Sequence, residues 1–137
     1  MRLLGKISFR TAEDIKGYHV HLYYDGRTKQ YAGYLRREME RRFNGCIEVG
    51  RWRDMAPQGP HPTSHFQVSF PTNMFNQLVP FLALNRRDLH ILLHPNTGNG
   101  YEDHTKNVMW IGPVSYTHLR ANETSLHLVC RLLLEKK

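Results

Sequence analysis

Seven histidines fall between Tyr18 and His104, in four groups whose surroundings suit ligands better than core side chains. His19 and His21 alternate within Tyr18-His19-Val20-His21-Leu22-Tyr23-Tyr24-Asp25. His61 and His65 lie in a Pro-containing segment, and His90 and His94 flank Ile91-Leu92-Leu93. His104 stands between Asp103 and Thr105. A neutral imidazole nitrogen is a good donor to iron, zinc and copper near neutral pH, so the first chemistry to consider is a metal centre. Alternate side chains of a strand point the same way, and a His-x-His pair can therefore chelate one ion. His94, directly before Pro95, and His104, in a polar segment, can join that pair. His90 is a weaker candidate, because Arg87 and Asp88 mark a solvated strand start. His61 is held between Pro60 and Pro62, where a rigid backbone can aim it. His65 begins a strand as a structural or supporting residue.

Asp25, Glu48, Asp54 and Asp103 are the carboxylates that can complete a two-histidine, one-carboxylate iron site, and spacing does not choose among them. Arg51 and Arg53 flank Trp52 beside a Pro/Gly segment, a good position for gripping an acidic substrate. Arg36-Arg37, Arg41-Arg42 and Arg86-Arg87 read first as solvated helix faces and ends, with a substrate-carboxylate role as the lesser alternative. Nothing resembles a Ser-His-Asp triad, a phosphate loop or an Arg/Lys-aromatic RNA platform. Strand faces bearing histidines rather than stacking aromatics also argue against RNA binding.

These residues need elements to position them. Tyr18, Val20, Leu22 and Tyr24 alternate with His19, His21 and Tyr23, which predicts a strand with two histidines on one face. After the Asp25-Gly26-Arg27 turn, Thr28 is a plausible N-cap for a helix carrying Tyr31, Leu35, Met39 and Phe43 and stopping at Asn44-Gly45. Cys46 to Trp52 is expected to form a second strand and His65 to Phe70 a third, separated by a Pro/Gly loop. Thr72 can cap a second helix through Met74, Leu78, Phe81, Leu82 and Leu84, in which Pro80 must make a kink or leave one backbone bond unmade. Leu89 to His94 reads as a fourth strand and Pro95 to Lys106 as a loop. The order βαββαβ is that of an α+β, ferredoxin-like sandwich, a four-stranded antiparallel sheet with two helices on one face. If Val20, Leu22, Leu89, Ile91 and Leu93 face the helices, then His19, His21, His90 and His94 emerge together on the open face.

The end of the chain has a different character. Val114-Ser-Tyr-Thr-His-Leu-Arg-Ala-Asn-Glu-Thr124, followed by Ser-Leu-His and then Leu-Val-Cys-Arg-Leu-Leu-Leu-Glu-Lys-Lys137, resembles a translated sequencing adapter. Such scars do not belong in fold reasoning. We therefore expect one domain over residues 1–113, cut short at its C-terminus, and a non-native tail over 114–137. Without the tail, 19 basic and 12 acidic residues become 15 and 10, a net charge of +5 in place of +7. That mild basicity suits an anionic substrate and is no nucleic-acid signature. Cys46 remains as a single cysteine, so neither an intramolecular disulfide nor a Cys-based zinc site is available, which fits a reducing, cytoplasmic setting. No apolar run is long enough to span a bilayer and no signal-peptide pattern opens the chain.

Taken in order, Tyr18-His19-Val20-His21-Leu22-Tyr23-Tyr24-Asp25, Gly50-Arg51-Trp52, Gly59-Pro60-His61-Pro62 with Phe66-Gln67-Val68, Leu84-Asn85-Arg86, His94-Pro95-Asn96-Thr97-Gly98, Asp103-His104-Thr105 and Trp110-Ile111-Gly112 resemble the DOPA 4,5-dioxygenase family. The chain departs from that pattern at Arg53, where relatives often carry histidine. The resemblance implies a ferredoxin-like domain, dimeric, that cleaves a catechol ring of DOPA or a related catecholic acid with O2 in the extradiol manner. Fe(II) is the implied metal, with another divalent ion such as zinc as the alternative, held by His19, His21 and His94 or His104. His61 and His104 are the implied acid/base pair, since imidazole trades protons near pH 7. Arg51 would pair with the substrate carboxylate, and Trp52 or Tyr23 would line the aromatic slot. The rival reading is a small dimeric module that binds a metal or an aromatic ligand and catalyses nothing; oxygen consumption separates the two. Neither reading involves nucleic acid or membrane.

Overall fold

The computed structural model describes residues 7–54 and 63–114. Alternation from Tyr18 to Tyr24 yields strand β1 (Gly17–Tyr23). Helix α1 (Lys29–Arg42) follows, but Thr28 does not cap it with its side chain. Asp25 takes that role: one of its carboxylate oxygens accepts from the backbone N–H groups of Arg27 and Thr28, at 2.9 and 3.0 Å. Donors that a helix start leaves unpaired are satisfied in this way. The Asp25 carboxyl stays below its usual range because, against the effect of burial, these bonds favour the ionised form.

The described residues after α1 form β2 (Glu48–Val49), β3 (His65–Phe70), α2 (Phe75–Asn85, after one 3-10 turn), β4 (His90–Asn96), α3 (Gly100–Thr105) and β5 (Met109–Ile111). The antiparallel strands run in the order β2-β3-β1-β4-β5, with β1 at the centre. The expected α+β sandwich is thus present, with β5 added as a fifth strand beyond β4. Two other expectations are corrected. The second strand is two residues long; beyond it Gly50 N–H still donates to the Gln67 carbonyl at 2.7 Å, and an isolated bridge joins Arg53 and His65. The expected loop from Pro95 to Lys106 contains the end of β4 and all of α3. A six-residue helix is too short to show an apolar period; it is held by Asn99, whose side chain accepts from Glu102 N–H at 3.1 Å.

One face of the sheet makes the core. Val20, Leu22, Phe66, Val68, Ile91 and Leu93 are buried against Ala32, Leu35 and Met39 of α1 and Leu78 and Leu82 of α2. Each of these side chains larger than alanine contributes roughly 1.5–3 kcal/mol when fully buried. Pro80 is accommodated because it lies on the exposed side of α2, where the carbonyl it leaves without a helical partner can meet water. With the core on one face, pairing partners dictate the other. Tyr23 opposes His65 and His90, His21 opposes Gln67 and Leu92, and His19 opposes Ser69 and His94.

Candidate metal centre

Directly paired residues of antiparallel strands point to the same side, so the second face carries His19, His21 and Tyr23 from β1, His65 from β3, His90 and His94 from β4, and Trp110 from β5. The face is not open. His21 and His94 are 2% and 1% exposed, and His19 is half-buried.

His19, His21 and His94 offer one ligand atom each within 4.8 Å of one another. The tightest pair is His21 Nε2 to His94 Nε2, at 3.2 Å. Imidazole nitrogens about 2.0–2.1 Å from one metal sit roughly 3 Å apart when the angle between them is right to tetrahedral, so this donor set fits an ion. Tautomers support the fit. The Nδ1–H of His94 donates to the carbonyl of Pro95 at 3.0 Å, an oxygen that can only accept, which leaves the Nε2 lone pair facing the cluster. Without an ion between them, His21 Nε2–H donates to that lone pair. Burial lowers the pKa of His94 to about 4, and positive charge on His104 and His19 pushes the same way. Burial and His104 also lower His19, with Glu48 opposing. Both rings are thus held neutral, the form that binds metal.

His104 comes from α3, not from the sheet. Its Nδ1–H donates to the Gly100 carbonyl at 2.7 Å, and its ring centroid lies 4.2 Å from that of His94 and 6.0 Å from that of His21. It stands beside the three-histidine group, and with Nδ1 engaged, proton exchange falls to its Nε2. Asp103 anchors this short helix. One carboxylate oxygen accepts from Thr97 N–H at 2.8 Å; the other accepts from the Thr97 hydroxyl at 2.8 Å and the Asn107 amide at 3.1 Å. Burial would raise its pKa, but these bonds and His94 hold it below the usual range. Asp103→Asn halves the acceptors at a buried clamp and is expected to cost about 1–3 kcal/mol. Urea unfolding of the metal-free protein measures this; unchanged stability would show that the clamp is dispensable.

The other expected site residues divide clearly. Asp25 caps α1, Asp54 accepts from Tyr24 Oη at 2.6 Å and pairs with Lys29, and Asp103 clamps Thr97, while Glu48 is exposed. The ligand group found among the described residues is therefore all histidine, with no carboxylate. Tyr23 is buried on the histidine face, 5.8 Å from His65 and 6.3 Å from Trp110 between ring centroids. Burial holds its hydroxyl protonated well beyond the usual range. Trp52 packs instead on the helix side, edge-on to Tyr24 and Phe66 at 5.1 Å and beneath Arg36. Arg51 is exposed. His61 lies outside the described residues. Sequence reasoning undervalued two residues. His65, taken as structural or supporting, has its ring centroid 5.4 Å from His21, and Trp110 gained its place only through the unassigned fifth strand. The alternation of His65 with Phe66, Val68 and Phe70 was the available signal for the first.

Comparison with known proteins adds an independent line. The sequence pattern of the Dopa 4,5-dioxygenase family matches residues 18–121. A DOPA 4,5-dioxygenase of Amanita muscaria is 35% identical over 106 residues, 73% of this chain and 46% of that protein. An uncharacterized 21.2 kDa protein of Botryotinia fuckeliana is 33% identical over 104 residues, 69% of this chain and 57% of that one. The chain thus spans about half the length of the curated relatives it matches. A crystal structure of a candidate dioxygenase from Nostoc punctiforme superposes with a TM-score of 0.74 at 37% identity, covering 82% of this chain and 97% of that one.

Proposed function

The chain belongs to the DOPA 4,5-dioxygenase family, and from that premise we propose that it opens the ring of a catecholic acid, DOPA or a close analogue, by extradiol cleavage with O2. The observation that carries this reading is the group of three converging imidazoles on the buried sheet face. His19, His21 and His94 would hold Fe(II). Three imidazoles also suit zinc, copper and nickel, so the donor set alone does not select iron; the proposed reaction with O2 is what favours it. When bound, the metal supplies a place where both catechol oxygens and O2 meet and electrons pass from ring to oxygen.

The chain's own groups would do the rest. Tyr23 and Trp110, neighbouring rings on the histidine face with centroids 6.3 Å apart, would line one side of the aromatic slot. His104, with Nδ1–H committed to Gly100, takes a proton from a catechol hydroxyl at Nε2 and returns it to the opened product. His61 remains the second acid/base candidate. Burial of His21, His94, His65 and Tyr23 keeps water from the reacting bond. No helix among the described residues is long and apolar enough to cross a membrane.

Oxygen uptake by the anaerobically Fe(II)-loaded protein tests the proposal on DOPA and on caffeate. Uptake equal in moles to a coloured ring-opened product is expected. Tight metal or catechol binding without oxygen consumption would instead favour a non-catalytic binding module.

A further inference from the structure

A cleft of about 610 Å³ lies where β1 ends and β4 begins, and the family reading gives it no role. Its walls include Tyr23, Arg27, Arg86, Arg87, Asp88 and His90. The volume is ordinary for a small-molecule site. Two of its residues, Tyr23 and His90, are register partners on the histidine face, so the cleft meets that face at its Tyr23–His90 end. Tyr23 is two residues from His21, roughly 7 Å along a strand. A ring held at the histidines with a two- or three-carbon side chain reaches that far.

The cleft also holds a fixed guanidinium. Arg86 donates from Nη1 to the carbonyls of Arg87 and Leu89, at 2.8 and 3.4 Å. The group is packed against Gly112, whose φ of +93° favours glycine and whose missing Cβ would overlap it. Both hydrogens of Nη1 are thereby used. Nε–H and the two hydrogens of Nη2 make no hydrogen bond among the described residues, and together they form the edge that accepts a carboxylate in bidentate fashion. Asp25, the acidic neighbour on the β1 side, is already committed to Arg27, Thr28 and the start of α1.

We infer that this cleft is the carboxylate subsite, with Arg86 as its fork and the exposed Arg27 and Arg87 adding positive charge at its rim. This deepens the ring-cleavage reading and rests on it for the placement of the ring. It also moves the expected carboxylate grip from Arg51, which is exposed beside a different strand, to a guanidinium held next to the histidine face.

The test compares equilibrium binding of 3-(3,4-dihydroxyphenyl)propanoate and of 4-ethylcatechol, which lacks the acid, to the anaerobic Fe(II)-loaded protein by calorimetry. The wild type is expected to bind the acid about tenfold or more tighter, as suits a charge-assisted bidentate contact. Arg86→Gln should erase that preference and leave 4-ethylcatechol unchanged. Arg86→Lys keeps a cation to bond the two carbonyls but loses the fork, so it should lose most of the preference while remaining folded. Equal binding of the two catechols by the wild type, or an acid preference that survives both variants, overturns the inference. The two readings fail separately. An Arg86-dependent preference without oxygen consumption would keep the subsite and sink the dioxygenase, whereas uptake on both catechols with no acid preference would do the reverse.

Discussion

His21→Ala and His94→Ala are each expected to weaken metal binding by roughly 100-fold or more and to abolish oxygen uptake with it, since even residues that only orient ligands typically contribute 10–100-fold. The expectation rests on geometry rather than on histidine count. His21 and His94 contribute the two nitrogens 3.2 Å apart, and no other side chain among the described residues brings a carboxylate into the group. His90→Ala is the informative control. It removes an imidazole from the same sheet face, two residues from β4's Leu92, but one that is not part of the three-histidine group. Competition against a chelator of known affinity, with Co(II) as a coloured substitute, gives the number directly. If His21→Ala and His94→Ala bind as tightly as His90→Ala, the centre lies elsewhere.

Acid should unfold the metal-free protein earlier than its carboxylates alone would require. The unfolded chain holds His94 near the ordinary imidazole value of 6.5, whereas burial sets it at about 4 in the native state. Between those values the unfolded state binds more protons, so stability falls as pH falls. The contribution is intact above pH 6.5 and lost progressively down to about 4. A tenfold change in proton affinity corresponds to about 1.36 kcal/mol, so the loss from this residue amounts to about 3 kcal/mol. His19 and His65, both lowered first of all by burial, add to it with the same sign. Asp25, Asp54 and Asp103, also lowered, lose their contributions at more acidic pH, below the ordinary carboxylate range. Urea midpoints of the metal-free protein from about pH 7.5 to about pH 4.5 should therefore slope downward, and His94→Gln should flatten much of the slope. A flat wild-type profile, or an unchanged slope in His94→Gln, would show that the ring is not held neutral. The same competition predicts metal release on acidification, because protons and metal seek the same lone pairs.

The period-two pattern of Tyr18 to Tyr24 was enough by itself to place His19, His21 and Tyr23 on one face and Val20 and Leu22 on the other, because side-chain direction in a strand depends only on residue parity. The same parity argument separated His90 and His94 from Ile91 and Leu93, and element order supplied the sandwich. Parity says nothing about register. That His94 stands opposite His19, while His90 stands opposite Tyr23, follows from how β1 and β4 align over their whole length, and a slip of two residues would preserve every local pattern while scattering the ligands. Tertiary structure alone decided three further things. A six-residue helix, too short for an apolar period, brings His104 against His94. Asp103, one of four carboxylates equivalent by spacing, is committed to Thr97. Arg86, which looks in sequence like one more solvated charge, is held against Gly112. The Arg86–Gly112 contact joins segments distant in the chain and the other two close the connection between β4 and α3; in all three, chain folding and side-chain packing, rather than local spacing, set the distances.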